Sequence, residues 1–250
     1  MRIVRFQHQG ITAYGLVEGK TVYALEGELY GEFQRGAAVA PLADVRLLAP
    51  CQPSKVVAVG LNYRDHAAET HNALPAEPLL FLKPSTAVIG PDEAIVRPAM
   101  SQQVDYEAEL AVVIARRTRQ VSPQEAAGYI LGYTCANDVT ARDIQQRERH
   151  NSRAKSFDTF CPLGPWIVTN VAPDDLRLQC RVNGVRRQDS RTSQLVFGIP
   201  ALVSFISQVM TLLPGDVVLT GTPAGIGPLA PGDVVEVEIE GVGVLRNPVV

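Results

Sequence analysis

Apolar residues in the first part of the chain fall into short runs separated by turn residues. The runs at residues 2–6, 12–17 and 21–25 have the length of β-strands, and Gly10 and Gly19 stand between them. Glycine adopts turn conformations at no steric cost. Because few side chains of catalytic type occur here, the pattern predicts a small β-rich N-terminal domain over residues 1–50.

The remainder of the chain, residues 51–250, mixes strand and helix patterns. Pro50 and Pro53 mark its beginning, since closely spaced prolines end regular structure. Apolar runs predict strands at residues 56–59, 79–82, 104–114, 216–220, 234–239 and 243–249. Helices are predicted at residues 123–129, 140–148 and 200–213. Strands and helices do not alternate regularly, which argues against a doubly wound sheet or a TIM barrel and favours a β-rich α+β fold.

Composition and charge narrow the classes of protein. The chain has 250 residues, of which 46% are hydrophobic and 20% charged, so it can build a core without a disulfide or zinc staple. A net charge of −3 gives no reason to expect nucleic acid or an anionic membrane as a partner. The four cysteines show no Cys-x-x-Cys spacing, and neither a signal-peptide pattern nor a membrane-spanning run appears. We therefore expect a cytoplasmic enzyme with reduced thiols.

Alternating carboxylates lie within the predicted strand at residues 104–114. Asp105, Glu107 and Glu109 share one face of such a strand, at a spacing of about 6.5–7 Å. Unneutralised carboxylates at this spacing raise each other's pKa, and a hard cation such as Mg²⁺, Mn²⁺ or Ca²⁺ removes that cost. The alternative is the solvated face of an edge strand, where charges discourage aggregation. This segment alone leaves both interpretations open.

A second candidate segment runs from a strand-like stretch into the helix predicted at residues 140–148. Thr140 and Asp143 have the spacing of a capping box, which predicts a helix start near Thr140. Asp138 just before it is either a third carboxylate ligand or a turn residue. Arg142 in the first helical turn is disfavoured by the helix dipole, which suggests a substrate carboxylate or a neighbouring acid as its partner, although a solvated arginine fits equally well. Gln145 follows one turn later on the same face.

Three further features carry candidate chemistry. His66 and Glu69 are three residues apart and would share a helix face, as in a pair that activates water, although a surface histidine beside a helix-start glutamate is the commoner case. Lys155 by itself reads as a surface lysine. The glycine-rich stretch at residues 220–227 lacks a P-loop signature, and it is either a plain turn or a loop whose backbone and Thr222 hydroxyl bind a ligand carboxylate.

Taken together and in this order, these segments resemble the fumarylacetoacetate hydrolase family. The matching stretches are residues 59–69, 105–111, 137–143, 155–158 and 214–223. By this resemblance Mg²⁺ or Mn²⁺ would be bound by Glu107, Glu109 and Asp138. The same resemblance makes His66 and Glu69 the water-activating pair, Lys155 a stabiliser of negative charge, and Arg142, Gln145 and Thr222 substrate-binding residues. The chain departs from many relatives at Leu61, where arginine is common.

The resemblance also implies a fold and a range of reactions. The expected fold is a mixed β-roll or sandwich with flanking helices as a catalytic domain over residues 51–250, plus the small N-terminal β domain, in a protein that is usually a homodimer. The expected substrate is a small 2-oxo or 1,3-dicarbonyl acid. One hypothesis is C–C hydrolysis or decarboxylation of an acylpyruvate- or oxaloacetate-like acid through a metal-stabilised enolate. A second is isomerisation or decarboxylation in aromatic-acid breakdown, on 2-hydroxyhepta-2,4-diene-1,7-dioate or 5-oxopent-3-ene-1,2,5-tricarboxylate. A non-catalytic carboxylate-binding module is the third.

Overall fold

A computed structural model describes residues 1–250, and β-strands dominate it. The strands before the first carboxylate segment are β1 (Arg2–His8), β2 (Ile11–Glu18), β3 (Thr21–Gly27), β4 (Phe33–Pro41), β5 (Arg46–Leu48), β6 (Val56–Gly60), β7 (Leu79–Lys83) and β8 (Val88–Ile89). The later strands are β9 (Val104–Tyr106), β10 (Ala108–Ile114), β11 (Ile130–Asn137), β12 (Thr140–Ala141), β13 (Cys161–Val168), β14 (Arg177–Val182), β15 (Val185–Arg191), β16 (Val217–Leu219), β17 (Gly227–Pro228), β18 (Val234–Ile239) and β19 (Gly243–Pro248).

Helices are few and short. The α-helices are α1 (Arg64–Glu69), α2 (Arg142–Glu148) and α3 (Ile199–Val209), and the 3-10 helices are Leu42–Asp44, Ser85–Ala87, Ala126–Tyr129 and Thr192–Gln194. None of these helices has both the length and the apolar character that crossing a membrane requires. The β-rich α+β fold expected from the sequence is confirmed.

The strands form three sheets. The largest runs in the order β4-β3-β2-β1-β13-β11-β10-β16-β6-β7, with β5 added beside β1 and β8 beside β13. A second sheet joins β12, β9 and β17, and a third runs β15-β14-β18-β19. The N-terminal strands extend the largest sheet, because β1 pairs with β13. The division into domains at residues 1–50 and 51–250 stays a prediction.

Strand β10 is buried on both faces and lies between two hydrophobic cores. Leu110 and Val112 pack in a cluster of 38 buried residues, whereas Ala111 and Val113 pack in a separate cluster of 15. The strand has β11 on one side and β16 on the other, so it is not an edge strand. The alternative of a solvated edge for the carboxylate segment is therefore excluded.

Three predicted elements differ from the structure. The helix expected at residues 123–129 is wrong except for the 3-10 turn Ala126–Tyr129, and Gly128 within that turn weakens a helix. The helix expected at residues 200–213 ends at Val209, and Leu212 pairs instead with Thr118. The strand expected at residues 104–114 is interrupted at Glu107.

The predicted capping box at α2 is also wrong. Thr140 belongs to β12 and pairs with Asp105 of β9, so its backbone is extended. Its hydroxyl donates to Glu107 or to the carbonyl of Asp138, and it accepts no hydrogen bond from an N–H group of the helix. Asp143 accepts hydrogen bonds from Ser101 and Gln102, and α2 begins at Arg142 without a side-chain cap.

Asp216 joins the N-terminal end of β16 to the N-terminal end of the parallel strand β6. Its buried carboxylate accepts hydrogen bonds from the backbone and hydroxyl of Ser54 and from the backbone N–H groups of Lys55 and Leu213, and it pairs with the Lys55 ammonium. Burial raises the pKa of Asp216, but these donors lower it by more, so that it lies below its ordinary value. The ionised form therefore stabilises the fold at neutral pH.

We predict that Asp216→Asn lowers the free energy of unfolding by about 2 kcal/mol at pH 7, because charge-assisted hydrogen bonds to a buried group are lost. A carboxyl with a depressed pKa stabilises above its unfolded pKa of about 4 and loses that effect as the pH falls. The difference between wild type and variant in chemical denaturation should therefore shrink below that pH. Asp175→Asn, which removes an exposed partner of Arg191, should leave the free energy of unfolding nearly unchanged, because solvent screens that pair. Equal losses in the two variants at pH 7 would contradict this role.

Candidate metal centre and active site

Three buried carboxylates meet at one point beside β10. Glu109 lies on β10, Glu107 occupies the interruption between β9 and β10, and Asp138 follows β11 directly. The pairing of Ala108 with Asn137 sets Asp138 beside Glu107, and the Asp138 N–H donates to the Glu107 carbonyl at 2.8 Å. One carboxylate oxygen from each of the three residues lies within 4.8 Å of the others.

Two side-chain amides replace the strand ladder where it breaks at Glu107. The Glu107 N–H donates to Asn137 Oδ1 at 2.9 Å, and the Ala108 N–H donates to Gln188 Oε1 at 3.0 Å. Buried backbone N–H groups need partners, and here side chains supply them. The interruption is thus satisfied on both sides, and it lets the Glu107 carboxylate approach that of Asp138.

Three cations surround these carboxylates. The buried Lys155 ammonium donates to Glu107 at 2.7 Å and to Asp138. Lys83, which is also buried, donates to the other oxygen of Asp138. The Arg142 guanidinium donates to Glu107 and, at 2.8 Å, to Asp105. The sequence left a substrate carboxylate, a neighbouring acid or solvent open as the partner of Arg142, and in the structure its partners are neighbouring acids.

The two glutamates of this segment, Glu107 and Glu109, have pKa values that are shifted in opposite directions. Burial raises the pKa of Glu107, but the Lys155 ammonium and the Arg142 guanidinium lower it by more, so that it lies well below its ordinary value. Burial and the Asp138 carboxylate raise the pKa of Glu109 well above its ordinary value. Glu109 accepts a single hydrogen bond, from the Gly221 N–H at 2.6 Å, and contacts no cation.

A hard divalent cation fits this donor set. Carboxylate oxygens are the ligands that Mg²⁺, Mn²⁺ and Ca²⁺ prefer in proteins. Glu109 has no cation among its contacts, and such an ion would supply that positive charge. Asp105 takes no part in the cluster of three, because its carboxylate is engaged by Arg142 and Gln103.

The predicted water-activating residues, His66 and Glu69, lie beside the cavity that the carboxylates line. His66 Nδ1 lies 3.1 Å from Glu69 Oε2 on α1, and the other Glu69 oxygen accepts the Gly225 N–H at 2.9 Å. The cavity has a volume of about 460 Å³. His66 lines this cavity, whereas Glu69 contacts His66 and does not line the cavity. The other predicted residues that line the cavity are Glu107, Glu109, Asp138, Arg142, Gln145, Lys155 and Thr222.

The predicted substrate-binding residues already have protein partners. Arg142 donates to Gln145 as well as to the two acids, and the Gln145 amide donates to Asn151 at 2.8 Å. The Thr222 hydroxyl donates to the Ala108 carbonyl at 2.8 Å. Leu61, where the chain departs from the resemblance, lines the cavity with a positive φ of 51°.

Sequence reasoning missed Lys83, Asn137 and Gln188 as parts of this site. A signal for Lys83 exists, since an apolar strand run ends on a lysine, and such a lysine is buried only with a partner. Asn137 precedes the candidate ligand Asp138 directly. Gln188 lies in a polar, arginine-rich strand whose pattern gives no sign of burial.

Comparison with known proteins supplies the family. The model of the fumarylacetoacetate (FAA) hydrolase C-terminal domain matches residues 55–250, and a second model, Rv2993c-like N-terminal, matches residues 1–50. The chain belongs to the fumarylacetoacetate hydrolase family. Members of this family are enzymes, and the recognition made from the ordered motifs is confirmed.

Relatives of this family cover nearly the whole chain. A protein of Archaeoglobus fulgidus is 60% identical over 207 residues, or 83% of each chain. The mitochondrial oxaloacetate tautomerase FAHD2B of Bos taurus is 46% identical over 225 residues, which are 85% of this chain and 72% of that one. The crystal structure of 2-hydroxyhepta-2,4-diene-1,7-dioate isomerase from Mycobacterium marinum is 48% identical with a TM-score of 0.93, covering 100% and 98% of the two chains.

We predict that Glu109→Gln abolishes tight Mn²⁺ binding, because the amide cannot supply the third negative oxygen. Asp105→Asn should retain binding, since Asp105 engages Arg142 and does not belong to the carboxylate triad of Glu107, Glu109 and Asp138. Mn²⁺ titration followed by electron paramagnetic resonance measures free ion directly in both variants. Undiminished Mn²⁺ affinity in Glu109→Gln would rule out the triad as the metal site.

Proposed function

We propose that the protein is a metal-dependent enzyme that acts on a small 2-oxo acid, with Mg²⁺ or Mn²⁺ as its cofactor. The reaction proposed first is C–C bond hydrolysis or decarboxylation of an acylpyruvate- or oxaloacetate-like acid through an enolate. The observation that carries this proposal is a single cavity that is lined both by the three carboxylates Glu107, Glu109 and Asp138 and by His66. A cation site and a proton acceptor that face one space are the parts that enolate chemistry needs.

The charge balance of the buried cluster favours an anionic ligand. The carboxylates are Asp105, Glu107, Glu109 and Asp138, and the cations are Lys83, Lys155 and Arg142. With all of them ionised, the cluster carries one negative charge in excess, and a proton on Glu109 removes it. A divalent ion in place of that proton leaves one positive charge in excess, which a single carboxylate of a 2-oxo acid would neutralise.

The residues have separable tasks in this proposal. When bound, the divalent cation supplies Lewis acidity toward the carboxylate and 2-oxo oxygens of the substrate. Glu69 holds Nδ1 of His66, so Nε2 is the nitrogen left to accept a proton. In hydrolysis that proton comes from a water that attacks the distal carbonyl, and in decarboxylation no water is needed. Lys155 keeps a positive charge near the enolate oxygen.

Isomerisation is the second candidate, and the relatives favour it. One relative is named an oxaloacetate tautomerase and another a 2-hydroxyhepta-2,4-diene-1,7-dioate isomerase. Both names describe proton transfer without C–C cleavage. His66 would then accept a proton from substrate carbon or oxygen and return it at another position, and the same cation site would hold the acid.

We predict that His66→Ala lowers turnover by about 100-fold or more while Mn²⁺ binding is retained, because a general base is lost but no ligand is removed. His8→Ala, a change at the end of β1 that does not line the cavity, should leave turnover unchanged. The assay follows oxaloacetate, an acylpyruvate and the hydroxy-diene diacid with Mg²⁺, separating cleavage, CO₂ release and tautomerisation by product analysis. Cleavage or CO₂ release supports the first candidate, and tautomerisation alone supports the second. Absence of turnover on all three with metal bound would instead favour the carboxylate-binding module.

A cytoplasmic location and a homodimer also belong to this proposal. Both rest on the family resemblance, and the four buried, unpaired cysteines accord with a reducing compartment. We predict a dimer in sedimentation velocity at micromolar concentration. A monomer throughout that range would contradict the predicted assembly without touching the metal site.

A further inference from the structure

Gln188 is a buried residue of β15 that joins two parts of the site from outside the cavity. Its side chain is 1% exposed and does not line the cavity. Its Oε1 accepts the Ala108 N–H at 3.0 Å, which lies between the ligand positions Glu107 and Glu109. Its Nε2 donates to the Thr222 hydroxyl at 2.9 Å and to the Pro223 carbonyl at 2.8 Å.

These three partners fix the orientation of the Gln188 amide. The Ala108 N–H can only donate, and the Pro223 carbonyl can only accept. A flipped amide would therefore place its NH₂ against the Ala108 N–H and its oxygen against the Pro223 carbonyl. A carboxylate has no donor for Pro223 and an apolar side chain has neither group. Only a neutral amide of this length satisfies all three partners at once, which identifies the chemistry that the position requires.

The same contacts determine where the Thr222 hydroxyl donates its proton and from which group it accepts one. A hydroxyl has one proton and two lone pairs. Its proton goes to the Ala108 carbonyl at 2.8 Å, and one lone pair accepts from Gln188. One lone pair of the Thr222 hydroxyl remains, so a ligand that bonds to this hydroxyl has to be a donor such as an enol hydroxyl or a water.

The glycine-rich loop at residues 220–227 packs directly on the backbone beside Gln188. A Cβ at Gly225 would lie 2.2 Å from the Arg187 carbonyl oxygen, and Gly225 has a φ of 95°, so no other residue fits there. The Tyr106 hydroxyl donates to the Gly225 carbonyl, and the Gly225 N–H donates to Glu69. The loop thus connects the metal-ligand segment to the support of His66.

We propose that Gln188 is a positioning residue of the active site, which fixes the backbone between Glu107 and Glu109 relative to the glycine-rich loop and orients the Thr222 hydroxyl. Gln188 touches neither ligand nor substrate, and it acts through Ala108 and Thr222. Its importance for turnover rests on the proposed function, whereas its effect on the metal ligands is measurable without any substrate.

The test is Gln188→Met, which keeps the length of the side chain and removes the amide. Mn²⁺ affinity should fall about 10-fold to 100-fold, as is typical when a residue that supports metal ligands is lost. Hydrogen exchange at the Ala108 amide and in residues 220–227 should accelerate in the metal-free protein. Gln179→Met, on the neighbouring strand β14 and paired with Asp189, is the control and should change neither quantity.

Thermal unfolding in EDTA separates positioning from a merely structural role. A loss of stability alone lowers the unfolding temperature but leaves the Mn²⁺ affinity of the folded protein intact. A folded Gln188→Met variant with wild-type affinity and wild-type exchange at Ala108 would overturn the proposal. Should that variant not fold, Gln188→Glu keeps the acceptor for Ala108 and removes both donors to the loop. Faster exchange confined to residues 220–227 supports the proposal, and unchanged exchange there overturns it.

The outcome is separable from that of the proposed function. A wild-type protein that binds Mn²⁺ but converts none of the 2-oxo acids would sink the proposed reaction. The comparison of Mn²⁺ affinity and hydrogen exchange between Gln188→Met and Gln179→Met would still decide the role of Gln188.

Discussion

Burial of like charges is the constraint on which the rest of this structure depends. Glu107, Glu109 and Asp138 are each at most 5% exposed, and isolated carboxylates at such depth are costly. The fold meets that cost with cations from separate parts of the chain. Lys83 comes from β7, 55 residues before its partner Asp138, and Lys155 follows that partner by 17 residues. Each of these ion pairs is also a long-range tertiary contact, so assembling the site and folding the centre of the molecule are one process.

The sequence predicted those parts of the site that depend on residues close together in the chain. The alternation of Glu107 and Glu109 follows from strand geometry, and the spacing of His66 and Glu69 follows from the helix, so both pairs were recognisable in the sequence. For Asp138 the sequence left a ligand and a turn residue open, and only the ordered motifs favoured the ligand. The strand spans at residues 234–239 and 243–249 agree closely with β18 and β19 for the same reason, since valine-rich alternating runs reflect burial on one face.

Long-range partners were not predictable in this way. Thr140 has the spacing of a helix cap, yet pairing with Asp105 in β9 claims its backbone, and a single sequence carries no signal for that competition. Gln188 lies in a strand that reads as solvated, and its burial depends on the glycine-rich loop that reaches it from 34 residues further on. The joining of β1 to β13 likewise brings together segments that no local window contains.

The burial of β10 on both faces has a consequence for how this protein tolerates change. Alternate residues of the strand serve two different cores, and Glu107 and Glu109 continue one of those faces. Inserting or deleting one residue here would exchange the faces, moving Leu110 and Val112 to the face that carries Glu109 and moving a carboxylate into a hydrocarbon core. A change in the length of this segment is therefore more damaging than a substitution, because it displaces every side chain that follows it. Cavity residues such as Leu61 and Asn72 lie outside the strands, so changes in loop length there do not exchange two faces of a sheet.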